Sequence, residues 1–469
     1  TTLGYNDGTI YNNAALVAPS INSAGAQTFP DLSQPDLWEA GGAYPLTKAT
    51  PSFSDNFTKV YRSHTLKFGA FTELASNRQG TWSYPNGDLS FSSGLQPNQA
   101  NPAVRIGSVN PVANLAMGIA TSFTQNNYMP VQDMAYRTTS AYLMDDWRVA
   151  SRLTVNLGVR FDHVGRWYDR QGTGLAVWLP GRYTSDLTSG KVYPGVSWHA
   201  IDPGIPVGGS PTRVAFTSPR VGFAWNVEGN SETVVRGGWG QYRWNDQYND
   251  YGGDLSTSQL MATYNLSNGQ SATLAQIGKL GSSAAASASL PSSVSAADPN
   301  DYNVPNTDAW NLTIDRQLPW KSLVEVAYVG NTTRHLLMGG ASSGASIGGS
   351  GFTNVNKIPV GGLFNPDPLT NAAAPADPDN TSTYKIQDYY PYQAGYGTNS
   401  IAVGEHVGYS NYHGLQVAWL KQAGRLSFDF NYTWSKALGI INSTVDAFNV
   451  HGDYGVLSID RPQVINTSY

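Results

Sequence analysis

Five times along this chain, two strand-like runs are joined by only two to four residues. The short joints are Ser63-His64, Ala150-Ser151, Gly229-Asn230, Leu318-Pro319-Trp320 and Gln422-Ala423-Gly424-Arg425. Between successive hairpins lie long polar stretches, at 166–217, 244–307 and 335–409, with a partly structured one at 77–134. If each short joint closes a hairpin, every long loop falls at the opposite end of the sheet. That layout predicts an all-β fold: an antiparallel up-and-down transmembrane β-barrel with short periplasmic turns and long extracellular loops. A soluble sandwich has no reason to keep its long loops on every second connection.

The strands carry the matching period. Leu153, Val155, Leu157, Val159 and Phe161 alternate with Thr154, Asn156, Gly158 and Arg160. Successive side chains of a strand point to opposite faces, so one face is apolar and the other polar. Leu426, Phe428, Phe430, Tyr432 and Trp434 repeat the pattern, as do Val221, Phe223, Trp225 and Val227, and Val324, Val326 and Tyr328. Soluble antiparallel sheets with one wet face alternate too. Two features favour a membrane. The runs reach about ten to fifteen residues, against five or six in ordinary domains. Leu426 to Trp434 covers about 27 Å, or roughly 21 Å of height at a 40° tilt, near the ~25 Å apolar band of outer-membrane barrels. Tyr432 and Trp434 then belong to an outer aromatic girdle, and Trp147, Trp320 and Trp419 to a periplasmic one. Asp145 breaks the pattern by falling on the side of Leu143 and Trp147. About twelve strands are expected, ten in the hairpins and two near 80–92 and 119–129. Residues 1–52 read as a loop-rich N-terminal segment, 53–469 as part of a barrel, and Gly281 to Ser295 as a mobile Ala/Ser-rich loop.

Composition suits such a wall. Charged residues are 13 %, aromatics 12 % and Gly 49, because only every second strand residue must meet lipid. A net charge of −5 offers no basic footprint for nucleic acid. Cys 0 leaves no disulfide framework. No run of eighteen apolar residues predicts a transmembrane helix. The chain lacks a signal peptide and an initial Met, so it is expected to be a piece of a longer exported protein.

The run "MDDWRVASRLTVNLGVRFD" (Met144–Asp162) resembles the DDW-x(5)-LT-x-N-x-G-x-R-[YF] hairpin of TonB-dependent outer-membrane receptors. "SHTLKFGAF" (Ser63–Phe71) and "SPRVGFAWNVEGNSETVVRGGWGQY" (Ser218–Tyr242) resemble further pieces of that family in the right order. Ala309–Leu336 and Asn411–Leu438, the latter ending in "YTWSKAL", resemble two later hairpins of its Oar-like subgroup. The resemblance implies a barrel of about 22 strands, of which this chain would hold about twelve. It implies energy-coupled uptake of a siderophore, oligosaccharide or peptide across the bacterial outer membrane. A TonB-type complex would act through an N-terminal region, with plug and TonB box, that this chain does not show. It implies neither catalysis nor a cofactor. The alternatives are a plug-free porin or surface adhesin, or a secreted carbohydrate-active all-β protein.

Two loop clusters are candidate ligand sites. In "WNDQYNDYGGD", Trp244, Asp246, Tyr248 and Asp250 combine aromatic rings with carboxylates, for ligand capture, a Ca²⁺ clamp, or simply a solvated loop tip. In "DYYPYQAGYG", Tyr389, Tyr390 and Tyr392 suit sugar or peptide contacts, or loop packing on the rim. Lys67, Glu73, Arg160, Asp162, Arg236, Glu325 and Asp429 are expected to face the lumen, meeting water or a plug. The seven His residues show no metal-ligand spacing, and no nucleophile or phosphate-loop motif appears.

Overall fold

A computed structural model describes residues 20–22, 47–80, 87–91, 94–128, 130–246, 252–266, 269–280, 282–338, 353–372, 385–440 and 448–469. The chain divides into two compact units. One comprises residues 1–48, 77–133 and 256–292; the other comprises 49–76, 134–255 and 293–469.

The larger unit is a wall of long antiparallel strands. Its first hairpin is β1 (Ser52–Tyr61) and β2 (His64–Gly80). Then come β3 (Val131–Ala150) and β4 (Leu153–Val164), and β5 (Phe216–Asn226) and β6 (Thr233–Arg243). The fourth hairpin is β7 (Asn306–Leu318) and β8 (Ser322–Met338), and the fifth β9 (Ile401–Lys421) and β10 (Phe428–Ile440). An eleventh strand, β11 (Gln463–Ser468), pairs with β10. Neighbours in sequence are neighbours in space: β3 pairs with β4, β4 with β5, β5 with β6, β6 with β7, β7 with β8, β8 with β9 and β9 with β10. All five expected hairpins form. The turns need unusual backbone: Trp320 and Lys321 take φ of 62° and 57°, the left-handed region that lets a short connection follow the twist of the strands.

The register sorts the two faces as the alternation predicts. Leu157 lies opposite Val221, Val221 opposite Trp239, and Trp239 opposite Trp310. This apolar face is open: Leu157 is 45 % exposed, Val221 46 % and Leu312 47 %. On the other face Asp162, Ser218 and Thr313 are buried. A water-soluble domain reverses this arrangement, because exposed apolar area costs about 25 cal/mol per Å² in water. In hydrocarbon the same surface carries no such cost. Asp145, on the apolar side, accepts a hydrogen bond from His64 Nδ1 at 2.7 Å, and the His64 ring stacks on Trp147 with centroids 5.4 Å apart. His64 follows the Arg62-Ser63 turn directly. The misplaced carboxylate thus finds a hydrogen-bond partner near the turn end of the wall.

The smaller unit corrects one expectation. Strands do form near 80–92 and 119–129, but they do not extend the wall. Asp88–Ser90 pairs antiparallel with Ser122–Asn126, which pairs with Thr263–Asn265, while Ser20–Asn22 joins Asp88–Ser90 in parallel. Three to five residues reach at most about 17 Å, too short to cross a bilayer at a tilt. Their apolar side chains close a core of their own, with Leu89, Phe91, Phe123, Tyr264, Leu266 and Ile277 buried. The Ala/Ser-rich stretch is structured as well, with a helical turn at Ser282–Ala286 and a strand at Val294–Ala297. Among the described residues no helix is long and apolar enough to cross a membrane.

Candidate functional site at the outer mouth

The polar face carries a set of cross-strand ion pairs. Lys67 Nζ donates to Asp146 at 2.7 Å, and Asn156 donates to the same carboxylate at 2.6 Å. Arg160 Nε donates to Asp162 at 2.6 Å, and Ser218 Oγ donates to the other Asp162 oxygen at 2.9 Å. Arg236 bridges Asp315 at 2.8 Å and Glu325 at 3.1 Å. Tyr136 donates to Glu73, and Asn431 to Asp429. All seven residues expected to face the lumen therefore share the face opposite Leu157, Val221 and Leu312. Between these pairs runs a groove of about 430 Å³. Its floor is stripped of side chains where Gly222 and Gly238 stand opposite each other. Its edge holds Arg220, stacked on the Tyr242 ring at 4.5 Å.

At the ends of the strands away from the turns, the long loops have structure. Val177–Trp178 pairs with Val196–Ser197 and lies parallel to Ala297. Val294–Ala297 runs parallel to Ile401–Gly404, and Thr353–Asn354 pairs with the same stretch of β9. Ile401–Gly404 of β9 is thus the middle strand of a loop platform, just beyond Glu405, which still pairs with β8.

A buried charge cluster fastens this platform. His406, on β9, donates from Nδ1 to Asp301 Oδ2 at 2.5 Å and from Nε2 to Asp246 Oδ2 at 2.9 Å. Its backbone N–H reaches the same Asp301 oxygen at 2.8 Å. Arg166 lies 3.7 Å from Asp301 and donates to the Asn303 carbonyl at 3.3 Å. The four side chains are 1 to 7 % exposed. Two cations and two anions leave no net charge, the condition under which buried ions persist. Burial opposes the His406 charge, but Asp246 and Asp301 outweigh it and raise its pKa to about 9. Burial also opposes ionisation of Asp301. The His406 hydrogen bond and charge, the Asn303 N–H and Arg166 prevail, and hold that carboxyl well below its usual range. The cluster joins the ends of β4, β6, β7 and β9, and β4 and β9 are not neighbours in the wall.

The candidate ligand residues are therefore placed differently from one another. Trp244 is 40 % exposed beside the cluster, with its backbone N–H on the Pro305 carbonyl. The Asp246 carboxylate is an inner ion-pair partner rather than an open ligand. Tyr248 and Asp250 lie outside the described residues. Tyr389 is buried and donates to the Asn365 carbonyl at 3.0 Å. Tyr392 packs edge-on against Trp178 and Tyr183, each with centroids 4.9 Å away, and its carbonyl accepts from the Tyr183 hydroxyl. Burial, and then the nearby Tyr183, push its phenol pKa up. Tyr390 is half-buried beside them. These tyrosines use their contacts on the loops themselves. His406 escaped sequence reasoning because its carboxylate partners lie 105 and 160 residues away. Among the described residues no group of three or more His, Asp or Glu side chains is arranged to hold a metal ion.

The family model described as "Outer membrane beta barrel domain" matches residues 2–469. Among solved structures, the outer membrane transporter YddB from Escherichia coli aligns with 10 % identity and a TM-score of 0.41, over 86 % of this chain and 36 % of that one. The FrpB iron transporter from Neisseria meningitidis aligns with 9 % identity and a TM-score of 0.38, over 87 % and 39 %. The ferric-catecholate import receptor Fiu from E. coli aligns with 10 % identity and a TM-score of 0.39, over 90 % and 42 %. The chain thus spans well under half the length of these structures. A search among curated proteins finds no match. The match over nearly the whole chain, and a wall with its apolar face outward, make this chain a member of the outer membrane beta barrel domain family, resident in the bacterial outer membrane.

Proposed function

We propose that this chain is part of the wall of a TonB-dependent transporter that takes up a scarce nutrient, a siderophore, oligosaccharide or peptide. The observation that carries the reading is the polar face. Arg160, Arg236, Glu325 and their partners give it a wet, charged lining around a glycine-floored groove, while the folded outer loops stand at one end. A passage for a polar solute needs such a lining, and selection needs loops of fixed shape. The wall acts without catalytic groups: the loops catch the ligand, and an inner-membrane energy-coupling complex drives its passage. The residues we place nearest the ligand are Trp244 and the rim around Tyr390. Uptake of labelled siderophores, oligosaccharides and peptides by cells carrying the full-length gene tests this. Uptake of one class is expected to saturate and to stop when the inner-membrane energy-coupling protein is deleted. Uptake that persists without it marks a passive porin and overturns the reading.

A further inference from the structure

Lys67, Arg160 and Arg236 each hold a carboxylate on the polar face. Arg220, on the same face, does not. Among the described residues it is in no ion pair, and its Nε is buried with no hydrogen-bond partner. The Tyr242 ring fixes its guanidinium from one side, with 4.5 Å from carbon to centroid. Register gives the glycine-floored groove beside it a plan. Arg220 on β5 lies opposite Gly240 on β6, Gly240 opposite Ala309 on β7, Ala309 opposite Asn331 on β8, and Asn331 opposite Tyr412 on β9. One row nearer the turns, Asn156 lies opposite Gly222, Gly222 opposite Gly238, and Gly238 opposite Asn311. All of them line the groove of about 430 Å³. In the first row only glycine and alanine stand between Arg220 and Asn331, across three strand spacings or about 14 Å. The side chains of Asn311 and Asn331 make no hydrogen bond among the described residues.

A fixed guanidinium with an unspent Nε edge matches a carboxylate, whose two oxygens take the two N–H groups of the fork. A carboxamide sets a donor beside an acceptor, the same pair that a peptide group presents. A floor without side chains lets another backbone come close. The aromatic rings on this face are engaged. Arg220 stacks on Tyr242, and Tyr412 is folded onto Gly414, its hydroxyl 2.8 Å from where a Cβ there would stand. A sugar ring therefore lacks a stacking platform, and a ferric chelate with several negative charges would meet one guanidinium. Given the transport reading, we propose that the groove takes a short peptide as cargo, with its free C-terminal carboxylate on Arg220 and its peptide groups on Asn311 and Asn331. A tripeptide spans at most about 11 Å and fits between Arg220 and Asn331.

The test uses the full-length protein in detergent, with trialanine, trialanine amide and maltotriose as probes and titration calorimetry as the readout. Trialanine is expected to bind saturably and its C-terminal amide about tenfold more weakly, the loss of one charge-assisted hydrogen bond. Maltotriose is expected not to bind. Arg220→Gln should weaken trialanine about tenfold and leave the amide unchanged, so that acid and amide bind alike. Asn311→Asp, at an exposed side chain, puts a negative charge into the groove and should weaken the acid about tenfold and the amide less. The heat-modifiable band on cold gels checks that each variant is folded. Acid and amide binding equally to wild type, or equal trialanine affinity in wild type and both variants, overturns the site. Trialanine failing to bind, or maltotriose binding as tightly, overturns the peptide assignment. None of these results touches energy-coupled uptake, which fails separately, when import persists without the energy-coupling protein.

Discussion

Replacing His406 by leucine is expected to release the loop platform from the wall. The variant leaves Asp246 and Asp301 buried with Arg166 as the one remaining cation, and an uncompensated buried charge costs about 3–5 kcal/mol. The loss should be local. Amide exchange in full-length protein should quicken over 294–297 and 401–408, while the wall strands β5 to β8 keep their protection. Asp246→Asn should cost less, because His406 keeps Asp301. The triple change His406→Leu, Asp246→Leu, Asp301→Leu should recover part of the loss, since apolar packing replaces ions that were expensive to desolvate. The pH dependence has a fixed sign. His406 rises from 6.5 to about 9, so its contribution is complete below about 6.5 and fades as pH climbs through 9. The Asp301 pKa is lowered from 3.8, so its contribution is present above that value and fades in strong acid. Wild-type protection should therefore hold from weak acid to neutrality and fall in alkali, while the His406→Leu profile stays flat there. Identical exchange in the two proteins at pH 7 would mean that the cluster fastens nothing.

The wall was legible because its signals are local. Alternation at Leu153–Phe161 fixes a face with no knowledge of the neighbour, and a joint of two residues leaves the next run nowhere to go but back. Details slipped where the turn geometry decides. The first turn is Arg62-Ser63 with Arg62 at φ 54°, and Leu426 precedes its strand, which starts at Phe428. Two strands of the smaller sheet were legible but their separate pairing was not, because strands of three to five residues are assembled by the core they close, through Phe123 and Tyr264, which lie far apart in sequence. Asp246 shows the same limit at the candidate site. In a run of acids and aromatics it looks like a solvated tip, and nothing nearby in sequence announces that His406 will bury it. Asp145 is the exception that alternation could not explain: it sits on the apolar face because His64, 81 residues away, hydrogen-bonds it there.

Leu312→Arg should lower the stability of the full-length protein in the membrane by about 2–4 kcal/mol, whereas Asn311→Arg, one residue away, should cost far less. The two positions share strand, exposure and distance from the turn, and differ in face alone. Leu312 lies opposite Gly237 and Tyr328, in the row between Trp310 and Ile314, well inside the apolar band. An arginine there enters the hydrocarbon, where the cost near the midplane of a barrel is about 2–4 kcal/mol. That is roughly a 30- to 1,000-fold shift in the folding equilibrium. Asn311 lines the glycine-floored groove, where a guanidinium meets water and polar neighbours. Its cost should stay within about 0.5 kcal/mol, as for an ordinary surface change. Urea titration in lipid vesicles, following the heat-modifiable band on cold gels, measures both. Equal losses, or a larger loss for Asn311→Arg, would turn the wall inside out: the Leu157–Val221–Trp239 face would then be an interior, and the passage could not lie where the register puts it.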